Sequence, residues 1–290
     1  MDKQLKKEGL KDYTVRDGLV VLKNNKDFLP ELIFDCGQCF RWDRRGNGRW
    51  YGVAFGKALE LWETDGDVYM DTTEKDFLEI WYEYFDLGRD YEAVRGRISS
   101  DSFTAPAAQF GRGIRILRQD GWEALCSFII SQCNNITRIK GIIGRLCELY
   151  GEELEYRGET YHAFPSAEVI AGLDEKALSP LRAGYRAKYI LSAARDISTG
   201  KVDLRGLCGL STEEAMKELT GVNGVGVKVA SCALLFGCGR TDAFPVDVWM
   251  KRAIEGHYGG KEFDYRMFGE DAGIAQQYIF HYMRHLAGKV

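Results

Sequence analysis

A glycine-rich segment just before a lysine carries the clearest chemical signal in the sequence. Gly224, Val225 and Gly226 precede Lys228, and a lone aspartate, Asp247, follows nineteen positions after the lysine. Closely spaced glycines allow a tight turn and a close approach of the backbone to a ligand. The N–H groups at the start of a helix favour an anion such as phosphate. The pattern predicts a phosphate-binding hairpin and a helix with Lys228 in its first turn.

Lys228 is a candidate nucleophile. The positive end of a helix and the neighbouring Val225, Val227 and Val229 favour the neutral amine over the ammonium form. A neutral amine is what nucleophilic catalysis by lysine requires. A solvated surface lysine is the alternative interpretation.

Asp247 suits the N-cap of the next helix, because it precedes the apolar run Val248-Trp249-Met250. That role does not exclude chemistry, since a capping carboxylate is held rigidly. An amine and a carboxylate together suit attack at C1′ of a sugar, where the carboxylate stabilises an oxocarbenium-like charge. Such an attack expels the base, leaves a Schiff base on Lys228 and permits β-elimination of the 3′ phosphate.

Composition and charge indicate a globular protein with a basic face. The chain has 290 residues, 45% of them apolar, which is enough for one large or two ordinary domains. The net charge of −4 argues mildly against nucleic-acid binding, but basic residues are concentrated in 110–145 and 181–195. A local basic face suits phosphate binding, whereas scattered solvated charges are the alternative.

No run of eighteen apolar residues occurs, so the sequence predicts no transmembrane helix. Residues 1–9 are charged and lack an apolar segment, so we expect no secretory signal and a cytoplasmic protein. The eight cysteines are therefore expected to be reduced. Cys36 and Cys39 form a CxxC motif without a second pair at zinc spacing. We expect neither a metal nor another cofactor.

The chain divides into two parts. Strand-like runs separated by turn residues predict an antiparallel meander in the first part, and helical patterns dominate from about residue 104. We predict an α+β domain over residues 1–105 and an all-α domain over residues 106–290, with a linker near 102–107. The predicted strands are 13–22 (one strand, or a hairpin at Asp17-Gly18), 39–43, 50–55, 58–63 and 68–71; the predicted helices are 74–85, 108–118, 122–131, 136–150, 187–198, 211–219, 226–237, 247–257 and 271–287, with a loop at 158–164.

Several motifs together resemble one enzyme family. They are Cys36-Gly-Gln-Cys-Phe-Arg-Trp42, Phe128-Ile-Ile-Ser-Gln-Cys-Asn-Asn-Ile-Thr-Arg138, Gly184-Tyr-Arg-Ala-Lys-Tyr189, the segment from Leu219 to Asp247, and Ala275-Gln-Gln-Tyr-Ile-Phe280. From about Tyr13 to His285 the chain resembles the 8-oxoguanine DNA glycosylases of the helix-hairpin-helix superfamily, of the type shared by animals and some bacteria. The last cysteine is Cys238, so the C-terminal iron–sulfur cluster of endonuclease III and the adenine glycosylases is absent.

The resemblance implies a fold and an activity. The fold is an α+β N-terminal antiparallel-sheet (TBP-like) domain followed by an all-α helix-hairpin-helix DNA glycosylase domain. The activity is that of a bifunctional DNA glycosylase and AP lyase, which excises 8-oxoguanine from duplex DNA in base excision repair. A monomeric bacterial protein that works in the cytoplasm, on nucleoid DNA, is expected.

The resemblance also implies roles at the lesion. Lys228 would be the Schiff-base nucleophile and Asp247 its carboxylate partner. Gly37 would offer its backbone carbonyl to N7–H of 8-oxoguanine, whereas N7 of guanine is an acceptor that the carbonyl repels. Cys232 and Phe280 would sandwich the flipped base between them. Gln276 would contact the Watson–Crick edge of that base. Without the resemblance, these four would be a turn glycine, two core residues and a solvated glutamine.

On the far strand, the family uses Tyr185 as a wedge beside the orphaned base, and Arg138 and Arg186 near the opposite cytosine. Animal members have three asparagines where this chain has Cys133-Asn134-Asn135. The first inserts next to the cytosine, and a thiol is a poor donor, so we expect weaker discrimination of the opposite base. Trp249 replaces a histidine of the animal enzymes, so a phosphate contact there would come from the indole N–H.

Three other functions fit part of the pattern. They are a non-catalytic module that binds damaged DNA, a glycosylase for another lesion such as an oxidised pyrimidine, and a lysine-dependent aldolase or decarboxylase. The last needs neither the hairpin nor the basic faces.

Overall fold

The computed structural model describes residues 13–259 and 263–288. Residues 1–9, expected to lack a secretory signal, lie outside the described residues. Within them, an antiparallel sheet has the strand order β1-β2-β6-β5-β4-β3. Its strands are β1 (Tyr13–Arg16), β2 (Leu19–Leu22), β3 (Trp42–Arg44), β4 (Trp50–Ala54), β5 (Lys57–Thr64) and β6 (Asp67–Met70). The predicted meander is confirmed, and residues 13–22 form the hairpin, with Asp17 and Gly18 at positive φ.

Aromatic side chains build the core beneath this sheet. Phe34 stacks on Trp42 with ring centroids 4.1 Å apart. Trp42 covers Gly52, where a Cβ would lie 2.3 Å from the indole Cδ2 atom, so only glycine fits on β4 at that point. Helix α1 (Pro30–Asp35) supplies Phe34 and leads into the loop that contains Gly37. Because Phe34 of α1 packs on Trp42 of β3, both ends of the loop that contains Gly37 are attached to the core beneath the sheet.

Helices form most of the remaining chain. The predicted helices are confirmed within a few residues except for 108–118, and α4 and α10 are additional ones. Helix 74–85 contains a π-helical turn, Phe77–Trp81, between α2 (Glu74–Asp76) and α3 (Tyr82–Tyr84). The others are α4 (Tyr91–Ile98), α5 (Thr104–Phe110), α6 (Gly121–Ser131), α7 (Ile136–Tyr150), α8 (Ala167–Ala171), α9 (Arg186–Ser198), α10 (Leu204–Leu207), α11 (Thr212–Thr220), α12 (Val227–Gly237), α13 (Val248–His257) and α14 (Ala272–Leu286), with 3₁₀ turns at Ser179–Leu181 and Tyr265–Asp271.

Two predictions between the domains are wrong. The expected linker at 102–107 lies largely in α5, with Phe103 and Thr104 buried. The expected amphipathic helix at 108–118 ends at Phe110, and the chain then runs without regular structure to residue 120. Arg115 is fully buried and its Nε donates to the Phe85 carbonyl at 2.8 Å. The pattern failed because this arginine satisfies the backbone of a distant loop instead of facing solvent.

The predicted loop at 158–164 is also wrong. A second sheet pairs β7 (Glu153–Tyr156) with β8 (Glu159–His162). Its aromatic residues reach the first domain, where Tyr161 stacks on Tyr51 at 4.4 Å and the Tyr156 hydroxyl bonds Asp71. The hairpin thus joins the helical part of the chain to the N-terminal sheet.

The helix-hairpin-helix consists of α11, the hairpin and α12. Ser211 caps α11 in a capping box with Glu214. Helix α12 packs closely on α6, since a Cβ at Gly237 would lie 3.0 Å from the Gly121 Cα. None of the described helices is long and apolar enough to cross a membrane.

Candidate active site

Lys228 lies in the first turn of α12, as predicted, and is half-buried. Its Nζ lies 3.4 Å from the Ser131 Oγ and 4.9 Å from the centre of the Phe128 ring. The Ser131 hydroxyl donates to the Phe128 carbonyl at 2.8 Å, so an oxygen lone pair remains for the lysine. Sequence reasoning assigned no role to Ser131 or Phe128, although both belong to a motif that it singled out.

Asp247 is the N-cap of α13, as predicted. One oxygen, Oδ1, accepts both the Trp249 N–H at 3.0 Å and the Met250 N–H at 2.9 Å. Burial raises the pKa of Asp247, although the Met250 N–H and the positive charge of Lys228 act in the opposite direction. The carboxylate is therefore fixed by one oxygen, and the other is left for the site.

Cys232 follows Lys228 by one helical turn and is almost fully buried. Burial raises the pKa of its thiol, and the charge of Lys228 lowers it. Asp247 also acts on this thiol through its negative charge. The charges of Lys228, in the first turn of α12, and of Asp247, at the N-cap of α13, thus both act on the Cys232 thiol.

The loop around Gly37 is held on both sides of the glycine. The Cys36 carbonyl accepts the Gln277 side-chain N–H at 2.7 Å, and the Gln38 carbonyl accepts that of Gln119 at 2.7 Å. Within the described part of the chain, no hydrogen bond to the Gly37 carbonyl is present. The arrangement leaves this carbonyl available to a ligand.

Gly37 faces Phe280 on α14. Its φ is +78°, and a Cβ would lie 3.6 Å from the Phe280 Cε1 atom, within the space between backbone and ring. Gln276 precedes Phe280 by one helical turn and is buried. The structure therefore brings Gly37 and Phe280 together and places Gln276 on the same side of α14.

The predicted hairpin is formed, with one correction to its environment. Gly224 has φ +84° and packs against Tyr189, because a Cβ would lie 2.2 Å from the ring Cγ atom. Val225 is buried, and its N–H donates to the Val222 carbonyl at 3.0 Å within the turn. Val227, expected to surround the lysine, is 67% exposed instead, because it lies on the outer side of the first turn of α12.

A second group of predicted residues lies in the loop between α6 and α7. Cys133 is exposed, with φ +47°. Asn134 donates to the Ile130 carbonyl at 3.1 Å, and Asn135 caps α7 by accepting the Arg138 N–H at 3.0 Å. Arg138 itself is exposed. Gln132 ties this loop to the hairpin, since its amide donates to the Gly224 carbonyl at 3.1 Å.

Arg186, predicted to lie near the opposite base, is buried. Its Nε donates to the Gln132 carbonyl at 3.0 Å, and one Nη donates to the Cys133 carbonyl at 3.1 Å. Its guanidinium also lies 4.5 Å from the centre of the Tyr185 ring. Tyr185 is 48% exposed. Arg186 therefore holds the loop and the tyrosine in place, and Tyr185 is the member of this pair that faces solvent.

Trp249 lies beside Asp247 and apart from this loop. The Arg252 guanidinium lies 4.7 Å from the centre of its ring, and Arg252 is exposed. No group of three or more metal-ligating side chains occurs among the residues that the structure describes.

Comparison with known families identifies both parts of the chain. Residues 20–125 match the family "8-oxoguanine DNA glycosylase, N-terminal domain". Residues 126–272 match the "HhH-GPD superfamily base excision DNA repair protein" family, which is half of the chain. The chain belongs to the 8-oxoguanine DNA glycosylase/lyase family of this superfamily. The resemblance and the fold class predicted from sequence are confirmed.

Relatives of this glycosylase family occur in distant organisms. A "Probable N-glycosylase/DNA lyase" of Methanothermobacter thermautotrophicus is 32% identical over 74% of this chain and 78% of its own. The N-glycosylase/DNA lyase OGG1 of Arabidopsis thaliana is 30% identical over 86% of this chain and 75% of its own.

Solved structures of family members superpose closely. An 8-oxoguanine glycosylase/lyase of Clostridium acetobutylicum, in complex with double-stranded DNA that contains cytosine opposite 8-oxoguanine, is 38% identical with a TM-score of 0.90. The match covers 96% of this chain and 99% of that chain.

Proposed function

We propose that this DNA glycosylase and AP lyase excises 8-oxoguanine from duplex DNA through a Schiff base on Lys228. One observation carries the proposal: a half-buried lysine amine lies at the start of α12, over the Phe128 ring and in the field of the Asp247 carboxylate. An amine and a fixed carboxylate are what attack at a sugar C1′ requires.

The reaction divides into two steps. The Lys228 Nζ attacks C1′, the N-glycosidic bond breaks, and the base leaves with a proton. Ring opening then gives an imine between Nζ and C1′. The imine acidifies C2′–H, so loss of that proton expels the 3′ phosphate by β-elimination. Ser131 and Phe128 hold the amine in position for the first bond.

Asp247 stabilises the positive charge that develops on the sugar. Two backbone N–H groups fix Oδ1, and Oδ2 faces the charge without a large reorganisation of the site. The same burial that raises the pKa of Asp247 strengthens its interaction with a cationic transition state.

The loop at Gly37 selects the oxidised base. A backbone carbonyl attracts the N7–H of 8-oxoguanine and repels the lone pair at N7 of guanine. Phe280 offers a ring face to the extruded base, and Gln276 offers an amide to its Watson–Crick edge. Cys232 closes the other face. A base can reach these groups only after it leaves the stack.

DNA binding extends from the hairpin to the loop after α6. Backbone N–H groups at Gly224 and Gly226 bind phosphate, while the Val225 N–H holds the turn by donating to the Val222 carbonyl at 3.0 Å. Tyr185 fills the space that the extruded nucleotide leaves. Arg138 and Asn134 face the opposite strand, with Arg186 as their support and Cys133 in place of a hydrogen-bonding amide. Trp249 contacts a phosphate near the lesion.

All of these residues belong to one chain, so we infer that the enzyme acts as a monomer. All eight cysteines are free, which suits the reducing cytoplasm in which we place the enzyme. We also propose that the α+β domain ends at residue 105 and the helical domain begins at residue 106.

Borohydride trapping tests the chemistry. A duplex that contains 8-oxoguanine should give a covalent adduct of protein and DNA with the wild-type protein and none with Lys228→Gln. Lys217→Gln, at an exposed lysine of α11, is the matched control and should be trapped normally. An adduct of equal yield with Lys228→Gln, or none with the wild type, would refute the mechanism.

A parallel gel assay tests the lesion. The wild-type protein should cleave DNA with 8-oxoguanine and leave thymine glycol in place. Preferential cleavage at thymine glycol would assign the same chemistry to another oxidised base.

A further inference from the structure

Two cysteines outside the active site lie side by side. The sulfurs of Cys208 and Cys238 approach the same carbonyl oxygen, that of Leu204, at 3.4 and 3.8 Å. Cys208 is exposed and Cys238 is partly exposed. Both line an open cavity of about 540 Å³, so a small reagent can reach them.

The two cysteines flank the DNA-binding motif. Cys208 follows α10, and Cys238 is the C-cap of α12, at the end opposite Lys228. Between them in sequence lie α11, the hairpin and α12. A bond between these sulfurs would close a covalent ring around the whole helix-hairpin-helix.

Neighbouring contacts already hold the two backbones together. The Arg240 guanidinium donates to the Leu210 carbonyl at 2.6 Å and to the Thr212 hydroxyl at 2.8 Å. Asp242 bonds the same hydroxyl. The segment after Cys208 is therefore fastened to the segment after Cys238, which keeps the two cysteines near each other.

We propose that Cys208 and Cys238 are a dithiol that a peroxide converts reversibly into a disulfide. The exposed Cys208 sulfur attacks one peroxide oxygen, the O–O bond breaks, and the departing hydroxide takes up a proton to form water. The Cys238 sulfur then attacks the resulting sulfenic acid, forms the S–S bond and releases a second water. The two thiols supply the two electrons that reduce the peroxide.

The CxxC motif does not compete for this role. Cys36 and Cys39 are both buried, and burial raises the pKa of Cys36 to about 12. A metal does not fit the Cys208 and Cys238 pair either, because no third ligand joins it among the described residues. Burial and the adjacent Cys208 also raise the pKa of Cys238. Cys208 is the more exposed of the two thiols, so it is the sulfur that meets the oxidant.

The disulfide stabilises the motif without touching the reacting groups. Closing a long loop removes conformations from the unfolded chain, and we expect a rise in Tm of about 5 to 10 °C on oxidation. The disulfide lies at the far end of α12, so the yield of borohydride trapping should be unchanged. Its formation is independent of the proposed glycosylase reaction.

Peptide mapping tests the pair in the full-length protein. After exposure to hydrogen peroxide, free thiols are alkylated and peptides are identified by mass spectrometry. We expect a cross-linked peptide that joins Cys208 to Cys238, two mass units lost from the protein, and recovery of both thiols with dithiothreitol. The rise in Tm should accompany it.

Three variants complete the test. Cys208→Ser and Cys238→Ser should each abolish the cross-link and the rise in Tm, whereas Cys133→Ser, at another exposed thiol, should leave both intact. Independent oxidation of Cys208 and Cys238 to sulfinic acids would overturn the proposal. So would a cross-link to Cys133, or a rise in Tm that persists in both serine variants.

Discussion

The surface that faces DNA has two sides, which differ in how firmly their side chains are held. On the lesion side, Lys228, Asp247, Gly37 and Phe280 are buried or half-buried, and backbone bonds or packing fix each one. On the opposite-strand side, Cys133, Arg138 and Tyr185 are exposed. A preorganised site favours one transition state, whereas exposed loop residues vary with little cost to the fold.

The difference separates two kinds of selectivity. In the proposed mechanism, discrimination of 8-oxoguanine from guanine depends on the Gly37 carbonyl and the Phe280 ring, which are held firmly. Discrimination of the base opposite the lesion would depend on the exposed side chains of Cys133, Arg138 and Tyr185. Changes on the lesion side should therefore cost much more activity than changes on the opposite-strand side.

The largest effect is expected at Asp247. Asp247→Asn should lower the single-turnover excision rate by about 10²- to 10³-fold, because a neutral amide cannot stabilise the developing cation. Asparagine is an equally good N-cap, so α13 should remain folded. A loss of less than about threefold would mean that the Asp247 carboxylate does not stabilise the developing cation.

The same variant has a distinctive pH dependence. The folded pKa of Asp247 is raised above its ordinary value of 3.8, so the native state binds this proton more readily than the unfolded state. The residue's contribution to stability is therefore greatest below pH 3.8 and is lost as pH rises through the folded pKa. At neutral pH, Asp247→Asn should have an unchanged or higher Tm, and the pH–rate profile should lose the part of its acidic limb that protonation of this carboxylate causes.

Substitution of Gly37 should have an effect of intermediate size, on excision of the base and not on cleavage of the sugar–phosphate backbone. In Gly37→Ala, the new methyl group enters the space before Phe280, and we expect excision of 8-oxoguanine to fall about 10- to 100-fold. Cleavage at a preformed abasic site needs no base contact and should be preserved. Gly18→Ala is the matched control, because Gly18 has the same φ of +78° with nothing near its Cβ position.

An equal loss on both substrates in Gly37→Ala would mean that the loop disturbs Lys228. That outcome would argue against separate roles for the base and the sugar contacts.

Ser131 should show a smaller effect. Removing one hydrogen bond to the Lys228 amine costs about 1 kcal/mol, so Ser131→Ala should slow imine formation at an abasic site by about 3- to 10-fold. Ser127→Ala, at a buried serine of the same helix, controls for changes in packing. Equal rates in the two variants would mean that the Phe128 ring alone positions the amine.

The smallest effect is expected on the opposite-strand side. Cys133 has φ +47°, a conformation that asparagine adopts more readily than other side chains. Cys133→Asn should raise Tm by about 1 to 3 °C and increase the preference for cytosine opposite the lesion by about 3- to 10-fold. Cys133→Ser, which lacks the amide, should change neither. A preference that does not rise in Cys133→Asn would mean that Arg138 and Tyr185 alone meet the orphaned base.

Sequence alone predicted most of the elements that position the site. Local signals sufficed where a cap or a turn decides the structure, as with the turn at Asp17 and Gly18 and with Asp247 before α13. They failed where a partner distant in sequence decides it. Arg115 belongs to a pattern typical of an amphipathic helix, yet it bonds the carbonyls of Phe85 and Asp86.

The candidate site shows the same limit. Lys228 was predicted from its own segment, whereas the role of Gly37 came from the resemblance to the glycosylase family. The contacts of Ser131 and Arg186 depend on the direction in which their polar atoms point. The pattern of apolar and polar residues in a sequence does not predict that direction. Arg186 is predicted to lie near the cytosine opposite the lesion, and its guanidinium donates to the backbone carbonyls of Gln132 and Cys133.

The most direct test compares both selectivities in one experiment. Single-turnover excision by the wild-type protein is measured on 8-oxoguanine opposite cytosine, thymine, guanine and adenine, and on guanine opposite cytosine. We predict that the four lesion duplexes differ by less than about tenfold, and that guanine is excised about 10³-fold more slowly or not at all. A cytosine preference as large as the preference for 8-oxoguanine over guanine would contradict the separation of the two sides.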